Sequence, residues 1–204
     1  MKHTIESLKI VEDLSKKLKT FHHHYYVILD LLNSFNKEKI IYVEIGCYNG
    51  GSACLALTNN KVECYSIDLG IPIDKQETIK TINDLRPNSK HVYIEGDSQK
   101  IEIFNLLKSY IDKIDVLFID GDHSYKGVMN DFSLYNEILN SGGYILFDDY
   151  NDSKHSPEVN RAVNDIVSSD IVKSNFEIIG TIKNIYNAYP HDIVDGNVFI
   201  IKKK

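Results

Sequence analysis

The sequence predicts a doubly wound α/β domain built on a mostly parallel sheet. Short apolar, β-branched runs recur at IIYVEIG (40–46), VECYSID (62–68), HVYIEGD (91–97), DVLFIDG (115–121) and GYILFDD (143–149). Each run is apolar on both faces and is followed by a stretch of helical character, the pattern of a parallel sheet covered on both sides. Glycines and acidic residues gather at the carboxyl ends of these runs, where ligands sit in open α/β sheets.

Two helices are expected before the sheet. Residues 4–36 place Ile5, Leu8, Val11, Leu14 and Leu18 on one helical stripe and Tyr25, Ile28, Leu29 and Leu32 on another. At the other end, FEIIG (176–180) and NVFIIKK (197–203) are separated by TIKNIYNAYPHDIVDG, which carries no helical pattern. Two adjacent antiparallel strands joined by a loop suit that ending. Lys202, Lys203 and Lys204 are read as a solvated tail. With no repeat or low-complexity linker, the expectation is one domain over 1–204, with a helical cap at 1–38 and the α/β core at 39–204.

Composition removes several classes. A chain of 204 residues with 43% hydrophobic and 25% charged residues can bury a core and is not a disordered chain. No apolar run approaches the ~18 residues of a membrane span, and MKHTIESLKI is too polar for a secretion signal, so a cytoplasmic protein without a membrane partner is expected. A net charge of −6 argues against a general grip on nucleic acid. Cys47, Cys54 and Cys64 lack CxxC spacing and are read as reduced thiols.

The stretch VEIGCYNGGS (43–52) ends the first strand. Its glycines, Gly46, Gly50 and Gly51, are spaced GxxxGG rather than the GxGxxG of a dinucleotide pyrophosphate site. Glu44 stands where it repels a phosphate and favours a cation. Asp68 ends the second strand about twenty residues on, the place from which a carboxylate accepts hydrogen bonds from ribose hydroxyls. Gly96, Asp97 and Ser98, at the third strand end, are placed to reach an adenine ring. A positively charged adenosyl ligand fits these residues.

The set E-I-G-x-x-x-G-G-S, S-I-D and E-G-D-S on successive strand ends resembles the class I S-adenosylmethionine-dependent methyltransferases, over roughly residues 40–203. The resemblance implies a Rossmann-like sheet of seven strands, the last antiparallel, with S-adenosyl-L-methionine as cofactor. Carried onto the matching positions, it implies cofactor contacts from Glu44, Gly46, Tyr48, Gly50, Ser52, Asp68, Asp97, Ser98 and Asp120.

Two further strand ends are dense in acid: FIDGDHSYKG (118–127) and ILFDDYND (145–152). Adjacent strands lie about 4.8 Å apart, so Asp120 and the pair Asp148 and Asp149 are expected to converge on one point. Three uncompensated carboxylates repel one another, and a cation relieves that; oxygen donors alone favour Mg²⁺, then Mn²⁺ or Ca²⁺. Asp122 is a competing ligand. This region is similar to the metal-dependent O-methyltransferases, in particular the macrocin and mycinamicin sugar methyltransferases, with the cephalosporin hydroxylase-like proteins nearby. Asp120, His123, Asp148 and Asp149 match that pattern, although the first of the acidic pair is often glutamate there.

The resemblance makes His123 the general base and Asp120 its catalytic neighbour. An imidazole with an ordinary pKa of about 6.5 can take a hydroxyl proton near neutrality. Lys126 is the competing base. Tyr48 and Tyr150 are expected to flank the cleft. Consecutive residues of a helix point in different directions, so no three-histidine site is expected at His22, His23 and His24. The N-terminal helices and the 181–195 loop are expected to cover the substrate. The implied function is a divalent-metal-assisted O-methyltransferase whose partner is a small-molecule hydroxyl, most simply a saccharide; a homo-oligomer is left open. The alternatives are a noncatalytic adenosyl-binding module and, against the GxxxGG spacing and Glu44, a nicotinamide-dependent oxidoreductase.

Overall fold

The structure, a computed structural model, describes residues 5–19, 24–181 and 198–204. Two helices, α1 (Ile5–Leu18) and α2 (His24–Ser34), precede a regular alternation. It runs β1 (Ile40–Ile45), α3 (Gly51–Ala56), β2 (Val62–Asp68), α4 (Lys75–Leu85), β3 (Lys90–Glu95), α5 (Ile101–Tyr110), β4 (Ile114–Ile119), α6 (Tyr125–Tyr135) and β5 (Leu139–Phe147). The chain closes with α7 (Pro157–Ser168), α8 (Asp170–Asn175), β6 (Phe176–Thr181) and β7 (Phe199–Lys203). Side-chain oxygens start several helices: Asp74 accepts from the Gln76 and Glu77 amides ahead of α4, and Ser124 from the Gly127 amide ahead of α6.

The seven strands lie in the order β3-β2-β1-β4-β5-β7-β6. β1 to β5 are parallel neighbours, and β7 runs antiparallel to both β5 and β6. The expected sheet, with its antiparallel last strand and two N-terminal helices, is the one observed. Side chains alternate along each strand, as a pleated backbone requires. On β1, Ile40 and Tyr42 face a core shared with α1 to α4, whereas Ile41, Val43 and Ile45 face a second core shared with α5 to α8. Among the described residues no helix is long and apolar enough to cross a membrane.

Three expectations need correcting. First, β5 begins at Leu139, not Gly143, because the ladder with β4 jumps from Ile114–Leu139 to Val116–Tyr144 and the chain between bulges through Gly142, at φ 79°. Second, the terminal lysines are no free tail. Lys202 and Lys203 pair within the sheet, the Lys203 ammonium donates to the Asn136 and Leu139 carbonyls, and the Lys204 ammonium donates to the last carbonyls of α8. Cations suit the carbonyl end of a helix. Third, α2 is a core element more than a cover: His24 to Leu32 are all buried in one core layer, and its first turn, His24 and Tyr25, is the part that reaches the carboxyl edge of the sheet. The expected substrate cover at 181–195 lies, beyond Thr181, outside the described residues, as do His22 and His23.

Candidate active site

The sheet order reverses between β1 and β4, and the ladder continues one residue past the strand ends there. The Gly96 amide donates to Asp68, Gly46 to Ile67, Asp120 to Ile45 and Asp148 to Ile119. These bonds line up Gly96, Asp68, Gly46, Asp120 and Asp148 along one carboxyl edge, at the switch point where open α/β sheets bind ligands. Above the edge lies a cavity of about 720 Å³. Among the described residues its walls hold Asp68, Asp97, Asp120, Asp122, Asp148 and Asp149, with His24 and His123, and no lysine or arginine.

On the β1–β3 side the backbone is held by side chains. One oxygen of Asp68 accepts the Cys47 and Tyr48 amides at 2.7 and 3.1 Å, and the other accepts Gly70 at 2.7 Å. Asp68 thus ties the β1 turn to the β2 turn, and the oxygen that accepts Gly70 keeps capacity for a further donor. Gly46, at φ +86°, lies so close to β4 that an added Cβ would sit 2.0 Å from the Asp120 carbonyl oxygen. Ser52 lines the wall, and Tyr48, Leu69 and Ile71 form an exposed apolar rim.

Glu44 and Gly50 do not line this cavity. Glu44 points into the α1–α4 side of the sheet, fully buried, where the Tyr42 hydroxyl donates to one oxygen and the Ser66 hydroxyl to the other. Burial raises its carboxyl above the usual range although Ser52, Ser66, Cys47 and Tyr42 favour the ion. The expectation that Glu44 faces a cationic ligand is therefore corrected: strand alternation turns it beneath the turn. Gly50, at φ +81°, packs against Ile82.

At the third strand end, Asp97 accepts the Gln99 amide at 2.9 Å. Ser98 lines the cavity, but its hydroxyl donates to Asp131 at 2.8 Å. Asp131 is buried in α6 with its second oxygen unpartnered, and burial pushes its carboxyl up to about 7. Nothing in the sequence marked this buried acid except its place in an otherwise amphipathic helix.

The β4–β5 side is built from side chains that strain against one another. Ile119 pairs with Phe147, so Asp120 and Asp148 leave their strands level and on the same face. Burial and the Asp148 charge push Asp120 up to about 7, partly opposed by His123 and His24. Asp149 follows one residue later with φ 55° and turns elsewhere: its carboxylate accepts the Ser156 hydroxyl at 2.8 Å. The expected convergence of all three acids is not found. Among the described residues, the acidic and imidazole donor atoms that lie within 4.8 Å of one another belong to His24, Asp120 and Asp148.

His123 sits between the two groups. Ser156 gives its proton to Asp149 and so accepts from His123 Nδ1, at 2.8 Å. That places a hydrogen on Nδ1 and leaves Nε2 facing Asp120 Oδ1 at 3.2 Å. Its bond to Asp120 holds the imidazole above its ordinary pKa against the opposing effect of burial. Asp122 lines the cavity but is occupied by the Ser124 amide and the Gln99 side chain. Lys126 is exposed and away from the cavity walls, and the Tyr150 ring packs against Phe199 rather than flanking the cleft.

His24 is the residue that sequence reasoning passed over. It opens α2, is 4% exposed, and its Nδ1 donates to Asp148 Oδ2 at 2.8 Å. Burial pulls its pKa down, but Asp148, with Asp120 and Glu44 behind it, outweighs burial and the group sits above its usual value. The only signal was a histidine leading an apolar run buried on all sides.

Known proteins resemble the chain in sequence and in fold. The family profile of a methyltransferase domain matches residues 43–150. An uncharacterised protein of Acanthamoeba polyphaga mimivirus is 41% identical over 174 residues, spanning 81% of this chain and 78% of its own. Among solved structures, a putative rRNA methylase from Clostridium thermocellum superposes with a TM-score of 0.65 at 18% identity, over 91% of this chain and all of its own. The MycE methyltransferase of mycinamycin biosynthesis, in complex with Mg, S-adenosylhomocysteine and mycinamycin VI, gives 0.60 at 19% identity. It covers 95% of this chain and 54% of MycE. At these identities the structural likeness speaks for the fold alone.

Proposed function

The chain belongs to the methyltransferase-domain family, and from that premise we propose that it is an S-adenosylmethionine-dependent O-methyltransferase, assisted by a divalent ion. We take its acceptor to be a hydroxyl of a sugar or sugar-bearing small molecule. The observation that carries this reading is the charge of the cavity: six aspartates and, among the described residues, no lysine or arginine. Such a wall favours a sulfonium and a divalent cation and disfavours a pyrophosphate or a phosphorylated acceptor. MycE, on the same fold, is a precedent for the pairing of Mg with this cofactor's demethylated product.

S-adenosylmethionine supplies an electrophilic methyl on a cationic sulfur, and a divalent ion lowers the pKa of a hydroxyl that it binds. The residues of this chain do the rest. Asp68, with the turn it braces, Gly46, Tyr48, Ser52, Asp97 and Ser98 form the cofactor wall; Glu44 and Gly50 support that wall from behind. Asp120 and Asp148 suit an ion, because two close carboxylates in a partly closed site are relieved by one. Asp149 orders His123 through Ser156. His123 Nε2, the ring nitrogen left without a hydrogen in the neutral form, accepts the acceptor's proton. Lys126, away from the walls, has no part in it.

The test is transfer of a methyl group from labelled cofactor to a panel of glycosides, polyols and catechols, read by mass spectrometry with Mg²⁺ or Mn²⁺ and again with chelator. Turnover that needs the ion is expected. Full rates after thorough chelation would remove the ion from the reading. Calorimetry that finds no affinity for S-adenosylhomocysteine would remove the cofactor.

A further inference from the structure

We propose that His24 supplies a nitrogen ligand to the divalent ion, completing a His24, Asp120 and Asp148 set that favours Mn²⁺ or another nitrogen-accepting first-row ion over Mg²⁺. The inference rests on the reading above that this end of the cavity binds a divalent ion. It departs from the set suggested by the sequence, in which Asp149 was the third ligand.

Geometry favours His24 over Asp149, which lines the cavity but is not in the close donor group. Asp149 turns away at φ 55°, and its Oδ2 is taken up by the Ser156 hydroxyl at 2.8 Å with His123 Nδ1 at 3.3 Å. His24 Nδ1, by contrast, lies 2.8 Å from Asp148 Oδ2 and belongs with Asp120 and Asp148 to one group of donor atoms, all within 4.8 Å of each other. Neighbouring ligand atoms on an ion with bonds of about 2.0–2.2 Å lie about 3 Å apart. The His24–Asp148 spacing already meets that requirement. All three residues line the cavity.

The ring is also fixed for the role. It is packed against Phe118 at 4.8 Å between centroids and against Tyr25 at 5.1 Å, and α2 behind it is buried as far as Leu32. A ligand held this way loses little freedom when an ion binds, which favours binding. Imidazole suits Fe²⁺, Ni²⁺, Cu²⁺ and Zn²⁺; Mn²⁺, although at home with carboxylates and water, accepts a nitrogen donor more readily than Mg²⁺, which prefers oxygen donors alone. One nitrogen with two carboxylates therefore shifts preference away from Mg²⁺. Such an ion also joins the start of α2 to the end of β5, 124 residues apart in sequence.

The rival arrangement keeps His24 as a hydrogen-bond donor to Asp148, outside the ion's coordination sphere. Pulsed electron paramagnetic resonance separates the two. The metal-stripped full-length protein is loaded with Mn²⁺ alone, and nitrogen-14 coupling of directly bound imidazole is sought in the wild type, His24→Ala and His123→Ala. The expected result is coupling in the wild type and in His123→Ala, its loss in His24→Ala, and at least a tenfold preference for Mn²⁺ over Mg²⁺ that shrinks in His24→Ala.

Mn²⁺ bound without directly coordinated nitrogen overturns the proposal, as does coupling that disappears only with His123→Ala. In either case the ion reading survives. If Mn²⁺ does not bind while S-adenosylhomocysteine does, the ion reading fails as well. The wild-type and His123→Ala spectra together decide ligation, because coupling that survives in His123→Ala leaves His24 as the cavity imidazole among the described residues, so a His24→Ala variant that fails to fold does not shelter the proposal.

Discussion

On the β1–β3 side of the cavity, backbone amides meet fixed acceptors: three of them converge on Asp68, and the strand ladder runs on through Gly46 and Gly96. On the β4–β5 side the working groups are side chains, and they oppose one another. Asp120 is pushed up to about 7, while His24 and His123 are both held above their ordinary values by neighbouring carboxylates. The difference separates two tasks. A surface that holds a ligand works best when its donors and acceptors are already fixed, since no reorganisation then opposes binding. A surface that moves a proton needs groups whose charge states lie close in energy, and unresolved charge in a partly buried site provides that.

The largest expected effect tests the division itself. His123→Ala should lower methyl transfer by about 10²–10⁴-fold, the usual range for a lost general base. Affinity for S-adenosylhomocysteine, by calorimetry, should stay within about twofold, well inside the ~1.4 kcal/mol that corresponds to tenfold. An equal loss in both measurements would mean that the two sides are one unit.

Gly46→Ala strikes their seam, because its Cβ would meet the Asp120 carbonyl at 2.0 Å and the backbone holds φ +86°. Destabilisation of roughly 2–4 kcal/mol is expected in chemical denaturation, with cofactor affinity and turnover falling together. A variant of normal stability would show that the turn moves apart from β4.

Asp68→Ala removes the acceptor of three amides on the cofactor side. Affinity for S-adenosylhomocysteine should weaken by about 1.5–3 kcal/mol, while the affinity of the stripped protein for Mn²⁺ stays unchanged. Unchanged cofactor affinity would free Asp68 from the wall assigned to it.

The smallest effect concerns the exception on the satisfied side. Asp131, behind Ser98, keeps an unpartnered oxygen, and burial raises its carboxyl to about 7. The folded protein therefore holds a proton there that the unfolded chain releases near pH 4. Its contribution to stability is complete at low pH and is lost as pH rises from about 4 through about 7. Asp131→Asn, which carries no charge at any pH, should raise the melting temperature by a few degrees at pH 8, on the order of 1–2 kcal/mol, and change it little at pH 4. A gain of equal size at both pH values would assign the effect to packing. A shift in cofactor affinity would draw Asp131 into the binding surface.

The alternation of apolar strand runs and helical stretches was enough to predict a mostly parallel sheet covered on both faces, because a strand apolar on both faces has no stable place except between two layers. The strand-end acids Asp68, Asp120 and Asp148 were legible for the same reason: a residue that ends a parallel strand stands at the ligand edge wherever that strand lies. Direction and partnership were not. Glu44 lies two residues before Gly46, and only the pleat turned it beneath the turn, against Tyr42 and Ser66. Asp148 and Asp149 are adjacent in sequence, yet a left-handed φ at Asp149 sends one toward Asp120 and the other toward Ser156. His24 reaches Asp148 across 124 residues because α2 packs on the face where Phe118 and Leu146 emerge. Local pattern records which residues leave the water, since burial depends on period; which polar groups then meet depends on how separate elements pack, and only the tertiary structure decides that.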